Sequence, residues 1–269
     1  MKIGTQPDIS HKVKEAFEFV SQNGFSHIEI LMDHPYFSPD NLDYTEILEL
    51  KGSYDIDVLI HAPAVSTNFL SISRSMRKAS YEELERVVYF AERCEAEVVT
   101  FHVGWNPGFI TARGFVFQKE LYSEHNYKVL VSEMYPFVKR YGSILALENT
   151  IGLDESLKRG IQYLLENTDL SLTFDIGHYN VKGGHELFLE NFDRVVNIHL
   201  HDNDGSIDGH LTLGKGCVDL DILPLSNYDG FLTLEVRDSE AILESKAYLE
   251  NYLKIKGGEN FERCEGTRV

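Results

Sequence analysis

The sequence predicts an α/β fold in which eight parallel strands close into one (β/α)8 barrel. Three observations carry that expectation. Eight short apolar runs punctuate the chain, segments of helical period separate them, and six of the runs end on a histidine or a carboxylate. The 269 residues, 43% of them hydrophobic, can bury one large core. Barrels of about 250 residues are routinely one domain, so one domain over 1–269 is expected.

Lys2–Thr5 is the first run, and Val13–Gln22 after it has helical period. His27–Met32 and Asp57–His61 are the second and third. Ser80–Glu95 follows, with Leu84, Val87, Val88 and Ala91 at helical spacing and charges on the other face. Glu97–His102 is the fourth run. The later runs Ile144–Glu148, Ser171–Asp175, Val195–His199 and Phe231–Glu235 alternate with the helical segments Asn126–Tyr141, Glu155–Glu166, His185–Phe192 and Ser239–Leu253. Alternation of this kind implies parallel βα units, and a count of eight implies closure. A doubly wound open sheet gives the same rhythm and stays as the alternative. Two connections, Trp105–Glu124 and Asp202–Val218, exceed the usual few residues, which marks them as active-site loops.

With 43 acidic residues against 25 basic ones the formal charge is −18, spread along the chain. That balance opposes an overall attraction to nucleic acid or anionic lipid, because polyanion binding uses a net basic surface. The first residues lack the apolar core of a signal peptide, and no run approaches a membrane span, so a cytoplasmic protein without membrane contact is expected. Cys94, Cys217 and Cys264 form no CxxC pair, which suggests neither a disulfide framework nor a thiolate zinc site.

The strand ends carry the chemistry: DVLIHAP at His61, VVTFHVG at His102, LALEN at Glu148, LTFDIGH at Asp175, VNIHLHD at His199 and LTLEVRD at Glu235. Taken alone, a histidine ending an apolar strand is more often structural than a ligand. Six such positions converging on one barrel face are harder to explain that way, and a buried carboxylate is costly unless it is paired or binds a cation. This mixed N/O set suits zinc, manganese, cobalt or iron. His178, three residues after Asp175, is close enough to join it, and Asp208 and His210 lie in the glycine-rich segment DGHLTLGKG of the second long loop. Trp105 and Phe109 could stack on a sugar or base, and Lys215 and Arg237 could clamp a phosphate or carboxylate. Rim packing and surface ion pairing are the plainer readings of these four. His201 is placed to orient a ligand. His11, His27, His34, His125 and His185 have no motif context.

These residues resemble the xylose-isomerase-like TIM barrel superfamily, also called AP endonuclease family 2, from the strand ending at His61 to the one ending at Glu235. The resemblance implies a family core of one metal on Glu148, Asp175, His199 and Glu235. Within the superfamily the set is most similar to endonuclease IV, whose nine ligands to three zinc ions have matching types at His61, His102, Glu148, Asp175, His178, His199, Asp208, His210 and Glu235. NIHLHDND followed by DGHLTLGKG looks like that branch's HLND and DxHxxxGxG segments. Sugar epimerases and isomerases of the superfamily usually place an arginine where His210 stands. No bulky or basic wedge for entering a DNA duplex is identifiable, so the departure touches the substrate more than the metal chemistry.

By this resemblance Glu148 bridges two ions, His61 and His102 complete one site, Asp175, His199 and Glu235 the second, and His178, Asp208 and His210 the third. Up to three divalent ions are implied, zinc first, with Mn2+ or Co2+ possible. The expected activity is a metal-dependent phosphoester or phosphodiester hydrolase acting on a small phosphorylated or sugar-containing substrate, with Glu148, Glu235 and His178 as catalytic residues and Trp105, Lys215 and Arg237 against substrate. The alternative is a mononuclear sugar or sugar-phosphate isomerase or epimerase. There Glu148 or Glu235 moves a proton next to a carbonyl, and His178 and Lys215 bind substrate. A non-catalytic barrel would require a decayed ligand set, and this set is complete.

Overall fold

The computed structural model describes residues 1–265, apart from the side chains of Lys119 and 257–265; Cys264 falls among the latter. The eight expected strands are present as β1 (Lys2–Thr5), β2 (His27–Leu31), β3 (Asp57–His61), β4 (Val99–Phe101), β5 (Leu145–Glu148), β6 (Ser171–Asp175), β7 (Val195–Leu200) and β8 (Phe231–Leu234). All pair in parallel, and β8 pairs back onto β1, which closes the barrel and rules out the open sheet.

Side chains alternate across each strand, so one set faces the helices and the other the barrel axis. Outward residues such as Val58, Ile60, Leu145, Leu147, Leu172, Phe174, Ile198, Leu200, Leu232 and Leu234 join the main apolar core. Inward residues Leu59, Val98 and Ala146 form a small separate cluster. The same parity aims His61, Glu148, Asp175 and His199 inward, and the register places Asp175 opposite His199 and His61 opposite Thr100.

The outer layer contains α1 (Val13–Gln22), α2 (Tyr44–Tyr54), α3 (Arg74–Arg93), α4 (Ser123–Val129), α5 (Tyr135–Tyr141), α6 (Glu155–Asn167), α7 (Ile176–Val181), α8 (Glu186–Glu190) and α9 (Ser239–Glu265). Helix α2 gave no signal in the sequence because Ile47 is its one buried residue, too little to mark a period. Helix α3 begins earlier than its apolar pattern. Its first turns bury Arg77 and Ser80 rather than aliphatic residues, and Arg77 is held by a two-pronged pair with Glu133 at 2.9 and 2.8 Å. The segment expected as one helix over Asn126–Tyr141 is interrupted by a π-turn at Leu130–Met134.

Both long connections are structured. The one after β4 contains a two-stranded hairpin, Phe109–Thr111 against Gly114–Val116. The one after β7 is anchored by Asp202, whose backbone exchanges hydrogen bonds of 2.8 and 2.7 Å with Leu211. Its carboxylate accepts from the amides of Asn203, Gly214 and Val218, each at 2.9 Å. Asp202 thereby folds the DGHLTLGKG segment back over the barrel mouth. No helix of the described residues is long and apolar enough to cross a membrane.

Candidate metal centre

Glu148 at the end of β5 is the hub of the mouth. It is buried, and its Oε2 faces Nε2 of His61 at 3.2 Å and Nε2 of His102 at 3.0 Å. The other oxygen, Oε1, faces Nδ1 of His199 at 3.3 Å and Nδ1 of His178 at 3.6 Å. One carboxylate thus addresses two separate groups of imidazoles.

The ring orientations follow from backbone acceptors. A carbonyl can only accept, so the Nδ1 of His61 donates to Ala62 O at 2.9 Å, that of His178 to Asn149 O at 2.7 Å, and that of His210 to Glu235 O at 2.8 Å. In all three rings Nε2 is left to face the cluster, the orientation that metal-ligating histidines require of their second nitrogen. His199 is oriented from beneath, inside the barrel. Its Nε2 lies 2.8 Å from Oε2 of Glu29, and its Nδ1 lies 3.3 Å from Glu148 and 3.1 Å from Glu235.

Glu29 was not among the residues singled out from the sequence. It is fully buried in the middle of β2 and accepts from Gln6 at 3.0 Å, Thr100 at 3.1 Å and Asn197 at 3.1 Å. A signal did exist: HIEIL carries an acid at an inward position of an otherwise apolar strand, which is costly unless a cationic partner waits there.

The third side of the mouth is built from α7 and the loop after β7. Asp175 caps α7 by accepting from the His178 amide at 2.7 Å, which turns the imidazole back over the strand ends. Asp208 stands between His178 at 3.3 Å and His210 at 3.1 Å. His201 enters here as well, 3.2 Å from Asp175 and 3.4 Å from Asp208, with its ring stacked on His210 at 4.0 Å. Gly177 makes room for it, since any Cβ at that position would collide with the His201 ring. His210 and Arg237 adopt φ of +43° and +49°, left-handed values that cost an L-residue energy and here concentrate at the site.

Among the described residues three groups bring ligand atoms within 4.8 Å of one another: His61, His102 and Glu148; Glu148, Asp175, His199 and Glu235; and His201, His210 and Glu235. The first two join the residues that the sequence joined. The third differs, because it keeps His210 but holds His201 and Glu235 where His178 and Asp208 were expected; Asp208 lies between His178 and His210 instead. Buried atoms without a hydrogen bond include His199 Nδ1, Glu235 Oε2 and Asp208 Oδ1, one from each donor type, so the donor set fits divalent cations.

The electrostatics are those of a cluster compensated by protons. Burial opposes ionisation of Glu148, yet His102 and His199 outweigh it and hold the carboxyl well below its usual range. Glu235 is likewise held low against burial, mainly by His199. Burial also opposes charge on His199, but Glu29, Glu148 and Glu235 raise it well above the ordinary imidazole value. His178 is raised well above that value, against burial, chiefly by Asp175 and Asp208. Against the same opposition Asp175 leads in pushing His201 up to about 9.

The remaining expected residues divide. Trp105 lines a cavity of about 520 Å3 together with His102 and His178. Phe109 lies exposed on the hairpin, outside that lining. Arg237 braces the cluster, its guanidinium pairing with Glu235 and donating to Gln6 at 2.9 Å. Lys215 is not brought to the site. Its ammonium is exposed and pairs with Glu244 at 3.4 Å, outside the cluster. Among the unassigned histidines, His27 is buried inside the barrel 2.8 Å from the Thr233 hydroxyl, and His185 bonds the Thr150 carbonyl at 2.8 Å.

Fold and site together define a (β/α)8 barrel with a histidine- and carboxylate-rich mouth at the C-terminal ends of its strands. The chain belongs to the xylose isomerase-like TIM barrel family, whose model matches residues 17–252. The uncharacterized protein MJ1311 of Methanocaldococcus jannaschii is 28% identical over 92% of this chain and 87% of its own length. Among solved structures, a D-tagatose 3-epimerase-like protein superposes with a TM-score of 0.77 at 26% identity, covering 96% of this chain and 99% of its own. Endonuclease IV from Thermus thermophilus superposes with a TM-score of 0.63 at 21% identity, covering 93% of this chain and all of its own.

Proposed function

We propose that this protein is a metal-dependent hydrolase of phosphoesters, with a site for more than one divalent cation and zinc as the first expectation. The observation that carries the reading is the position of Glu148, whose two oxygens belong to different imidazole groups. Glu235 is shared in the same way between the central group and the one with His201 and His210. A mononuclear site needs neither shared carboxylate. Divalent cations held there would offset phosphate charge and supply acidic water at neutral pH.

In hydrolysis the oxygen of water bonds to phosphorus, the bond to the leaving oxygen breaks, and that oxygen takes up the proton the water gives up. The chain's own residues prepare this step. His61 and His102 orient one face of the site, and Glu29 and His199 the other. His178, at the edge of the cavity, can pass a proton to a leaving oxygen, because its Nε2 faces the cluster while its Nδ1 is tied to Asn149. Elemental analysis of protein purified without chelator tests the reading: about two to three ions per chain, with hydrolysis of a phosphodiester panel, is the expected result.

The second reading, a sugar or sugar-phosphate epimerase with one metal, draws on a different observation. Glu148, Asp175, His199 and Glu235 already form a four-residue set by themselves, and the D-tagatose 3-epimerase-like structure is similar over almost the whole chain. One ion per chain with turnover of ketoses and none of phosphodiesters would replace the first reading by this one.

A further inference from the structure

We infer that the substrate is a nucleoside phosphate, its phosphate at the metal cluster and its planar base in the cavity beside it. The inference rests on the phosphoester reading above and adds the group that the phosphate carries. The cavity holds about 520 Å3, within the range of small-molecule sites, and its lining shares His102 and His178 with the cluster. A ligand whose phosphate reaches those two imidazoles can lay the rest of itself along the apolar wall of the cavity. That wall is made by Trp105, Phe117, Tyr122, Ile151 and Leu157. Trp105 and Phe117 are about half or more exposed, which leaves surface on both for a ring, although Phe117 also meets Phe115 edge to face at 5.0 Å.

A free or phosphorylated sugar would press its hydroxyls against this wall and leave them without partners, which disfavours binding. A heteroaromatic base has the opposite match. It stacks on aromatic side chains with little need of hydrogen bonds, while polar groups of the lining, among them Asn106, Gln118, Asp154 and Lys182, can meet its edge. The acidic chain is no obstacle to a small anionic ligand, because the charge the phosphate meets is that of the cluster rather than of the whole surface.

Trp105 is the chain's one tryptophan, so its fluorescence reports directly on this cavity. The zinc-reconstituted full chain is titrated with adenosine 5′-monophosphate, adenosine and ribose 5-phosphate. Adenosine 5′-monophosphate is expected to give a saturable change at a concentration at least about tenfold below that of ribose 5-phosphate, the contribution of one stacked base. Adenosine alone is expected to perturb Trp105, with or without metal. Phe117→Ala, at an exposed position, is expected to weaken adenosine 5′-monophosphate about tenfold without weakening ribose 5-phosphate. Ribose 5-phosphate binding as tightly as the nucleotide, or no saturable response to either adenosine compound, would overturn the inference. The phosphoester reading fails separately, when adenosine binds but its 5′-phosphate adds nothing in the metal-loaded protein.

Discussion

Glu29 and His199 meet 2.8 Å apart inside the barrel, both fully buried, and this pair decides which nitrogen of His199 faces the mouth. Glu29 also accepts from Gln6, Thr100 and Asn197, so β2, β4, β7 and the residue just after β1 are tied to one carboxylate beneath the cluster.

Glu29→Gln removes the charge and keeps the shape. Metal affinity is expected to fall about 10- to 100-fold, as for other groups that orient metal-binding imidazoles. Competition with a chromogenic chelator measures it, and unchanged affinity in a folded variant would show that His199 needs no such support.

Glu148→Gln leaves the fold intact and removes the shared ligand. Phosphodiester turnover is expected to drop by at least about a hundredfold, the scale of losing one electrostatic contact to the transition state. Circular dichroism verifies the fold, and wild-type turnover in this variant would sink the assignment.

His210→Arg addresses the third group alone. The metal count is expected to decrease while the central group, Glu148, Asp175, His199 and Glu235, stays loaded. An unchanged count would remove His210 from the candidate ligands.

Gly177→Ala drives a methyl into the His201 ring. A cost of about 1–3 kcal/mol is expected, typical of overpacking. Pairing it with His201→Ala should recover most of that loss, and two additive melting-temperature shifts would show that the ring is not what Gly177 accommodates.

The metal-free protein should lose stability as pH rises. Burial opposes the charge on His201, but Asp175 and Glu235 raise its pKa to about 9, above the ordinary 6.5. The folded state therefore binds this proton more tightly. Its contribution is full below about pH 6.5 and is lost as pH climbs through 9, about 3 kcal/mol across the window. Denaturant titrations of chelator-treated protein at about pH 6 and pH 9.5 measure it, and equal midpoints would refute it. Metal affinity should rise over the same window, since a bound cation displaces these protons.

The period-2 and helical patterns are local properties, set by where successive side chains point. That is why all eight strands, and the inward ends at His61, Glu148, Asp175 and His199, could be read from the chain alone. Helix α2 escaped for the same reason in reverse, since burying Ile47 alone leaves no period to see. The histidines and carboxylates at the strand ends, and the barrel implied by the alternation of strands and helices, are what the sequence determined by itself. Tertiary structure alone decided which of them meet. Barrel closure set Glu29 of β2 under His199 of β7, capture of the DGHLTLGKG loop by Asp202 brought His201 and His210 into a stack, and Lys215 of that loop pairs with Glu244 instead of joining the site. Those outcomes depend on register and loop path between residues far apart in the chain, and no local spacing encodes them.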